Sequence, residues 1–209
     1  MKEGLIMGLD QYLNIVITTD EKTANRNHIN SVTEQLTELI PANAFANPYS
    51  PVYIDENDMI SKFDLDPIYD IDGNATHRYE LLTVKWQDRS YRKANQIQNY
   101  FETHFYEGGN ESNHEKYNCV NTKVDDFTID DLLNRIHKIN ENPTATVAEA
   151  EFPTTAGFFY GDTSYDEFYF EQNNEFANDL IELKQVRDQI NSQLAGTPYQ
   201  AIIEYSSWW

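Results

Sequence analysis

"YDEFYFEQNNEFANDLIELKQVRDQINSQLAGTPYQAIIEYSSWW" (residues 165–209) changes its hydrophobic period partway along, and the fold is read from that change. Phe176, Leu180, Leu183, Ile190 and Leu194 form a helical stripe, interrupted only by Arg187. The spacing predicts one long helix from about Tyr165 to Leu194, ended by Gly196 and Pro198. "YQAIIEY" is then β-branched and apolar, as a closing strand requires. A helix that feeds a terminal strand implies a sheet for that strand to join.

Working outward, three further stretches read as strands: "LDQYLNIVIT" (9–18), "RYELLTVKW" (78–86) and "YNCVNTKV" (117–124). Ile29, Val32, Leu36, Leu39 and Ile40 recur at helical spacing before Pro41 stops them. "DRSYRKANQIQNYFETHF" reads as a helix with Tyr91, Ala94, Ile97, Phe101 and Phe105 inward. Thr128 is placed to cap a further helix with Ile129, Leu132, Leu133 and Ile136 on its core face. "ENPTATVAEAEFPTTAG" reads as loop, and residues 41–75 as a long irregular excursion carrying four prolines. The expectation is a single α+β domain over residues 1–209. It has a roughly five-stranded, mostly antiparallel sheet and about four helices, the long C-terminal helix being followed by the final strand. There is no internal repeat.

Charge is the strongest compositional fact. The 209 residues carry 35 acids against 15 bases, a net charge of −20, equal to the phosphate charge of about ten base pairs of DNA. Direct nucleic-acid binding and docking on anionic lipid are therefore disfavoured, and a basic partner is favoured. Residues 149–209 alone hold eleven acids and two bases. The single Cys119 and five scattered histidines give no zinc spacing, and no metal or other cofactor is expected. No apolar run suggests a signal peptide or a membrane span, so an intracellular setting is expected.

Four clusters are candidate sites. In "GFFYGDTSYDEFYF" (157–170), Ser164 and Glu167 have capping-box spacing, and Asp162 and Asp166 add carboxylates near a helix start. The alternative is a metal site joining Asp162 and Asp166 to Asp10. Glu167, Glu171, Glu175 and Asp179 fall every four residues on one helix face. Such a row is a solvated surface or an imitation of a phosphate backbone. In "SYRKAN", Arg92, Lys93, Asn95 and Gln96 project outward near a helix N-terminus as a candidate anion cradle, with ion pairing to the acidic segments as the alternative. "DPIYDIDGN" lacks a carboxylate where a calcium loop needs one and reads as an Asp-Gly turn.

"MGLDQYL" (7–13), "YRKANQIQNYF" (91–101), "GFFYGDTSYDEFYF" and the "YSSWW" end occur in this order. Together they resemble a family of small bacteriophage-encoded proteins of uncharacterised function. Its members open Met-Gly-Leu-Asp-x-Tyr-Leu and carry an Arg-Lys-Ala-Asn helix and a Gly-Phe-Phe-x-Gly stretch before Tyr-Asp-Glu. The chain departs from the family at Ser90-Tyr91, where Tyr-Trp is usual, and in the length of the 41–75 excursion. Some members are labelled phosphoglycerate kinase, for which this chain lacks the length and the nucleotide-binding loops. The resemblance implies a phage origin, a host-cytoplasm setting and an accessory role. Asp10, Arg92, Lys93, Asn95, Asp166 and Glu167 fall on its motif positions.

The leading expectation is an acidic binding protein that occupies a basic host protein, such as a nucleic-acid-binding defence or regulatory factor, by nucleic-acid mimicry. The alternative is a small-molecule or nucleotide-binding protein, a sponge or a small metal-dependent enzyme, with Arg92 and Lys93 on a phosphate. A third is a structural or assembly role. Catalysis is the less favoured class.

Overall fold

A computed structural model describes residues 8–40, 44–46, 63–84, 89–109 and 117–209. In chain order the elements are β1 (Asp10–Thr19), β2 (Thr23–Ala24), α1 (Arg26–Leu36), β3 (Phe45–Ala46), β4 (Phe63–Asp64), β5 (Pro67–Tyr69), β6 (Ala75–Val84) and β7 (Ser90–Arg92). They continue with α2 (Asn95–Glu107), β8 (Thr122–Val124), α3 (Asp126–Glu141), α4 (Ala145–Glu151), α5 (Glu167–Gln193) and β9 (Gln200–Trp208). The α+β class, the long helix and the terminal strand are as the sequence predicts. No described helix is long and apolar enough to cross a membrane.

The main sheet runs β3-β6-β5-β8-β9-β1-β7, and an extra pairing of β6 with β1 closes five of these strands into a ring. Its backbone is the antiparallel β1–β9 ladder, from Asp10↔Trp208 to Thr18↔Gln200. Among the described residues the one parallel contact is β5–β8, through Tyr69↔Thr122. Alternation along the strands sends Leu13, Ile15, Ile17, Ala201, Ile203 and Tyr205 into the core shared with the helices. There they meet Ile97 and Phe101 of α2 and Phe176, Leu180, Leu183 and Ile190 of α5. Burial of each Leu, Ile or Phe among them is worth about 1.5–3 kcal/mol. A second, small cluster of Val16, Ile68 and Ile202 lies apart from that core.

Several local expectations give way to tertiary context. Ser164 does not cap α5: Asp166 does, its side chain accepting from the Tyr169 amide at 3.1 Å. Ser164 instead donates from its amide and hydroxyl to Asp162 Oδ1. Asp125, rather than Thr128, caps α3, and the buried Thr128 donates to it from both amide and hydroxyl. The stretch expected as loop after Asn142 contains α4, capped by Thr144.

The helix expected to include Tyr91 begins only at Asn95. Ser90–Arg92 pairs instead with Asp10–Tyr12, and the chain turns at Lys93 with φ +58. Strand hydrogen bonds at the sheet edge outweigh the helical spacing of Tyr91 and Ala94. Tyr117–Cys119 is a turn, so β8 is shorter than expected. Within the 41–75 excursion, residues 41–43 and 47–62 lie outside the described residues, while β3, β4 and β5 replace irregular chain elsewhere. The Asp-Gly turn is formed: the Gly73 amide donates to Asp70 O at 3.0 Å and that of Asn74 to Asp70 Oδ1 at 2.8 Å. Gly73 takes φ +78, where a side chain would be strained.

Candidate functional site

The four stretches that carry the resemblance, far apart in sequence, meet at one corner. The Lys93 amide donates to Leu9 O and the Leu9 amide to Phe159 O. Asp10 lies opposite both Arg92 and Trp208. Tyr160 meets Trp209 edge to face at 5.7 Å. Gly161 has φ +87, and a Cβ there would stand 3.0 Å from Lys93 Cβ, so the crossing of the two chains requires glycine.

Much of the polar content of these stretches is internal cross-linking. Asn95 is buried, donating to the Tyr160 and Asp162 carbonyls and accepting from the Thr155 amide. Behind it, the Tyr205 hydroxyl lies 2.9 Å from Gln11 Oε1 and 2.8 Å from Gln98 Oε1. The Tyr160 hydroxyl donates to Glu102 at 3.1 Å. These bonds join β1, α2, the 157–162 turn and β9.

The expected anion cradle is therefore not assembled. Arg92 lies at the sheet edge with Nε 3.8 Å from Asp10, Lys93 occupies a left-handed turn, and Asn95 points inward with its amide committed. Gln96, also expected outward, is buried and donates to Asn173 at 3.0 Å. Asp10, Asp162 and Asp166 do not form a metal site either. Among the described residues no group of three His, Cys, Asp or Glu is placed to hold a metal.

What the corner does form is a cleft of about 230 Å³ between Lys93 and the start of α5. Gln96, Asp162, Asp166, Phe168 and Gln172 line it with Lys93. The Ser164 hydroxyl and amide hold the Asp162 carboxyl below its ordinary range. The cleft brings together two of the predicted clusters, and neither showed in sequence that it faced the other.

The acidic row divides in two. Glu167, Glu171 and Glu175 are exposed, and among the described residues none has an ion pair. Asp179 leaves the row: its carboxylate bonds to the Arg89 guanidinium and to the Tyr91 hydroxyl. The Arg89 side chain is only 3% exposed and also reaches Glu182 at 2.9 Å. Burial pushes the Tyr91 hydroxyl well above its ordinary range, so it stays a donor to Asp179.

Both bases of α5 are turned to neighbouring acids. Lys184 lies 3.4 Å from Asp126 and 3.5 Å from Asp130. Arg187 reaches Asp126 at 2.8 Å and Asp188 at 2.6 Å. The hydrogen bond from Arg187 is the main reason the Asp126 carboxyl lies below its ordinary range. The outer face of α5 thus presents uncompensated carboxylates, with Phe168 58% and Ile181 46% exposed along it. Sequence spacing could flag the row but not the loss of Asp179, whose partner Arg89 lies 90 positions away.

Comparison with protein-family models, with curated proteins and with solved structures returns no match to this chain.

Proposed function

We propose that the chain is a binding protein whose outer α5 face docks on a basic protein. The observation that carries this reading is the separation of charge on α5: Glu167, Glu171 and Glu175 face solvent, while Lys184 and Arg187 are held by Asp126, Asp130 and Asp188. A cationic partner meets the three carboxylates while both bases of α5 are held by acids, and attraction of this kind speeds encounter and weakens with salt. The exposed Phe168 supplies an aromatic anchor of the sort that concentrates binding energy at interfaces. On the resemblance to phage-encoded proteins, the partner is a host nucleic-acid-binding defence or regulatory protein, met in the host cytoplasm, and the carboxylates stand in for phosphates.

The test is retention of host proteins from lysate at low and high salt, with Glu167→Lys, Glu171→Lys and Glu175→Lys combined as control. A basic protein held by the wild type, released by salt and not held by the triple variant is the expected result. Equal retention by both proteins excludes the α5 face. A second reading has its own observation, the Lys93 cleft, which is large enough for a small ligand. Loss of function in Lys93→Ala, with the triple variant unaffected, would select it.

A further inference from the structure

The side of the β1–β9 ladder turned away from the helices carries Asn14, Val16 and Thr18 on β1 and Ile202, Glu204 and Ser206 on β9. Ring closure brings this surface against β5, β6 and β8, where Val16, Ile68 and Ile202 pack together. Glu204 stands among them, 4% exposed. Its Oε2 is sealed from solvent with no hydrogen-bond partner, and its carboxyl has no ion pair among the described residues. A carboxylate in that position would cost several kcal/mol, which favours the neutral, protonated form.

The charged groups around it reinforce this. Glu80 on β6 and Asp66 just before β5 are both acidic neighbours. Lys123, the register partner of Glu204 on β8, makes no ion pair with it. Arg78 on β6 is engaged with Thr18 and with the Pro198 carbonyl. On β1 this side carries Tyr12, Asn14, Val16 and Thr18, and its one charged group, Asp10, stands at the start of the strand, four residues before Asn14, the register partner of Glu204. Burial, with the repulsion of Glu80 and Asp66, raises Glu204 well above the ordinary carboxyl range. Glu80 is raised as well, chiefly by burial.

Glu80 is also wired to the weakest joint of the ring. Its Oε1 accepts from the Thr83 hydroxyl at 2.6 Å and its Oε2 from the Asn121 side-chain amide at 3.4 Å. The Asn121 carbonyl accepts the Tyr69 amide at 3.0 Å, next to the single β5–β8 bridge Tyr69↔Thr122. A cleft lined by Asp66, Tyr69, Phe105, Cys119 and Asn121 opens at this seam.

We propose that Glu80 and Glu204 act as a proton-operated latch on the ring: while the pair holds its proton the β5–β8 seam is closed, and loss of that proton opens it. Two neighbouring buried carboxylates repel, and the strand pair held by one bridge gives way before the long β1–β9 ladder does.

Hydrogen exchange of the Tyr69 amide, read as a protection factor between pH 6 and pH 9, tests the latch in the wild type, Glu204→Met, Glu204→Gln and Glu80→Gln. The wild type is expected to lose protection at Tyr69, by about tenfold per pH unit once the pair ionises, while the β1–β9 amides keep theirs. Glu204→Met, which fills the apolar site without a charge, should abolish that loss. Should neither Glu204 variant fold, Glu80→Gln, which retains acceptor and donor groups for Thr83 and Asn121, carries the comparison. A flat wild-type profile overturns the latch, as do an unchanged slope in the variants and parallel loss of protection along β1–β9. Calcium chloride that restores protection at pH 8 in the wild type, but not in Glu204→Met, overturns it too, by making the pair a cation site.

Discussion

Glu171 and Glu204 are both carboxyl groups without an ion pair among the described residues, and their surroundings give them opposite meanings. Glu171 stands in water on the outer face of α5, where its charge is solvated and open to an external cation. Glu204 stands inside the closed ring, almost sealed from solvent and with no counter-ion among the described residues. Acidic content therefore gives no uniform prediction of behaviour in this molecule. Solvation of each carboxyl decides whether it is a contact surface or a source of strain.

Asp179 lies between these extremes and gives the sharpest test. It keeps the four-residue spacing of Glu167, Glu171 and Glu175, yet it neutralises the buried Arg89. Asp179→Ala should destabilise the fold by about 3 kcal/mol in urea denaturation, since a buried guanidinium loses its closest partner. Glu175→Ala, one turn earlier, should change stability by less than about 0.5 kcal/mol. Equal effects would erase the distinction between the two positions.

The ring interior is tested next by pH. Glu80 and Glu204 have folded-state values above the ordinary 4.5, so these two groups bind more protons in the native protein than in the unfolded chain. The contribution of these two groups to stability is fully present below about pH 4.5 and is lost as pH rises through the raised folded values, by up to about 1.4 kcal/mol per unit for each group. Denaturation midpoints across pH 5–9 should decline in the wild type, and Glu204→Met should remove most of that slope.

The start of α5 tests a smaller effect. Asp166→Ala should cost about 1 kcal/mol as the loss of a helix cap, and Ser164→Ala less than that. A larger cost at Ser164, measured by thermal unfolding, would return the cap to that residue. Smallest of all for stability, Glu171→Lys should leave the unfolding midpoint nearly unchanged while it weakens capture of a basic partner. An altered midpoint would mean that the outer face of α5 is structural rather than a contact surface.

Legibility followed the range of the interactions concerned. The stripe from Phe176 to Leu194 is set within single helical turns, and α5 came out within two residues of its predicted start. The Asp70–Asn74 turn was equally readable, because Asp70 bonds to residues three and four ahead. Caps were read less well: Ser164 and Thr128 have suitable side chains, but Asp166 and Asp125 stand where the free amides point. The candidate cleft was half legible. Lys93, Asp162 and Asp166 were singled out, but their shared cavity depends on chain crossings between residues about 70 positions apart.

By itself, the sequence determined the charge of the molecule, the α+β class, the long helix before the last strand and the acidic spacing along that helix. These properties depend on composition and on neighbours within one or two turns. Only the tertiary structure decided that Thr18 pairs with Gln200, that β6 closes a ring onto β1, that Asn95 turns inward and that Asp179 leaves its row for Arg89. Each of those outcomes trades a local preference for a contact made across the chain. In this interior, where unsatisfied polar groups are costly, the distant contact is the stronger of the two.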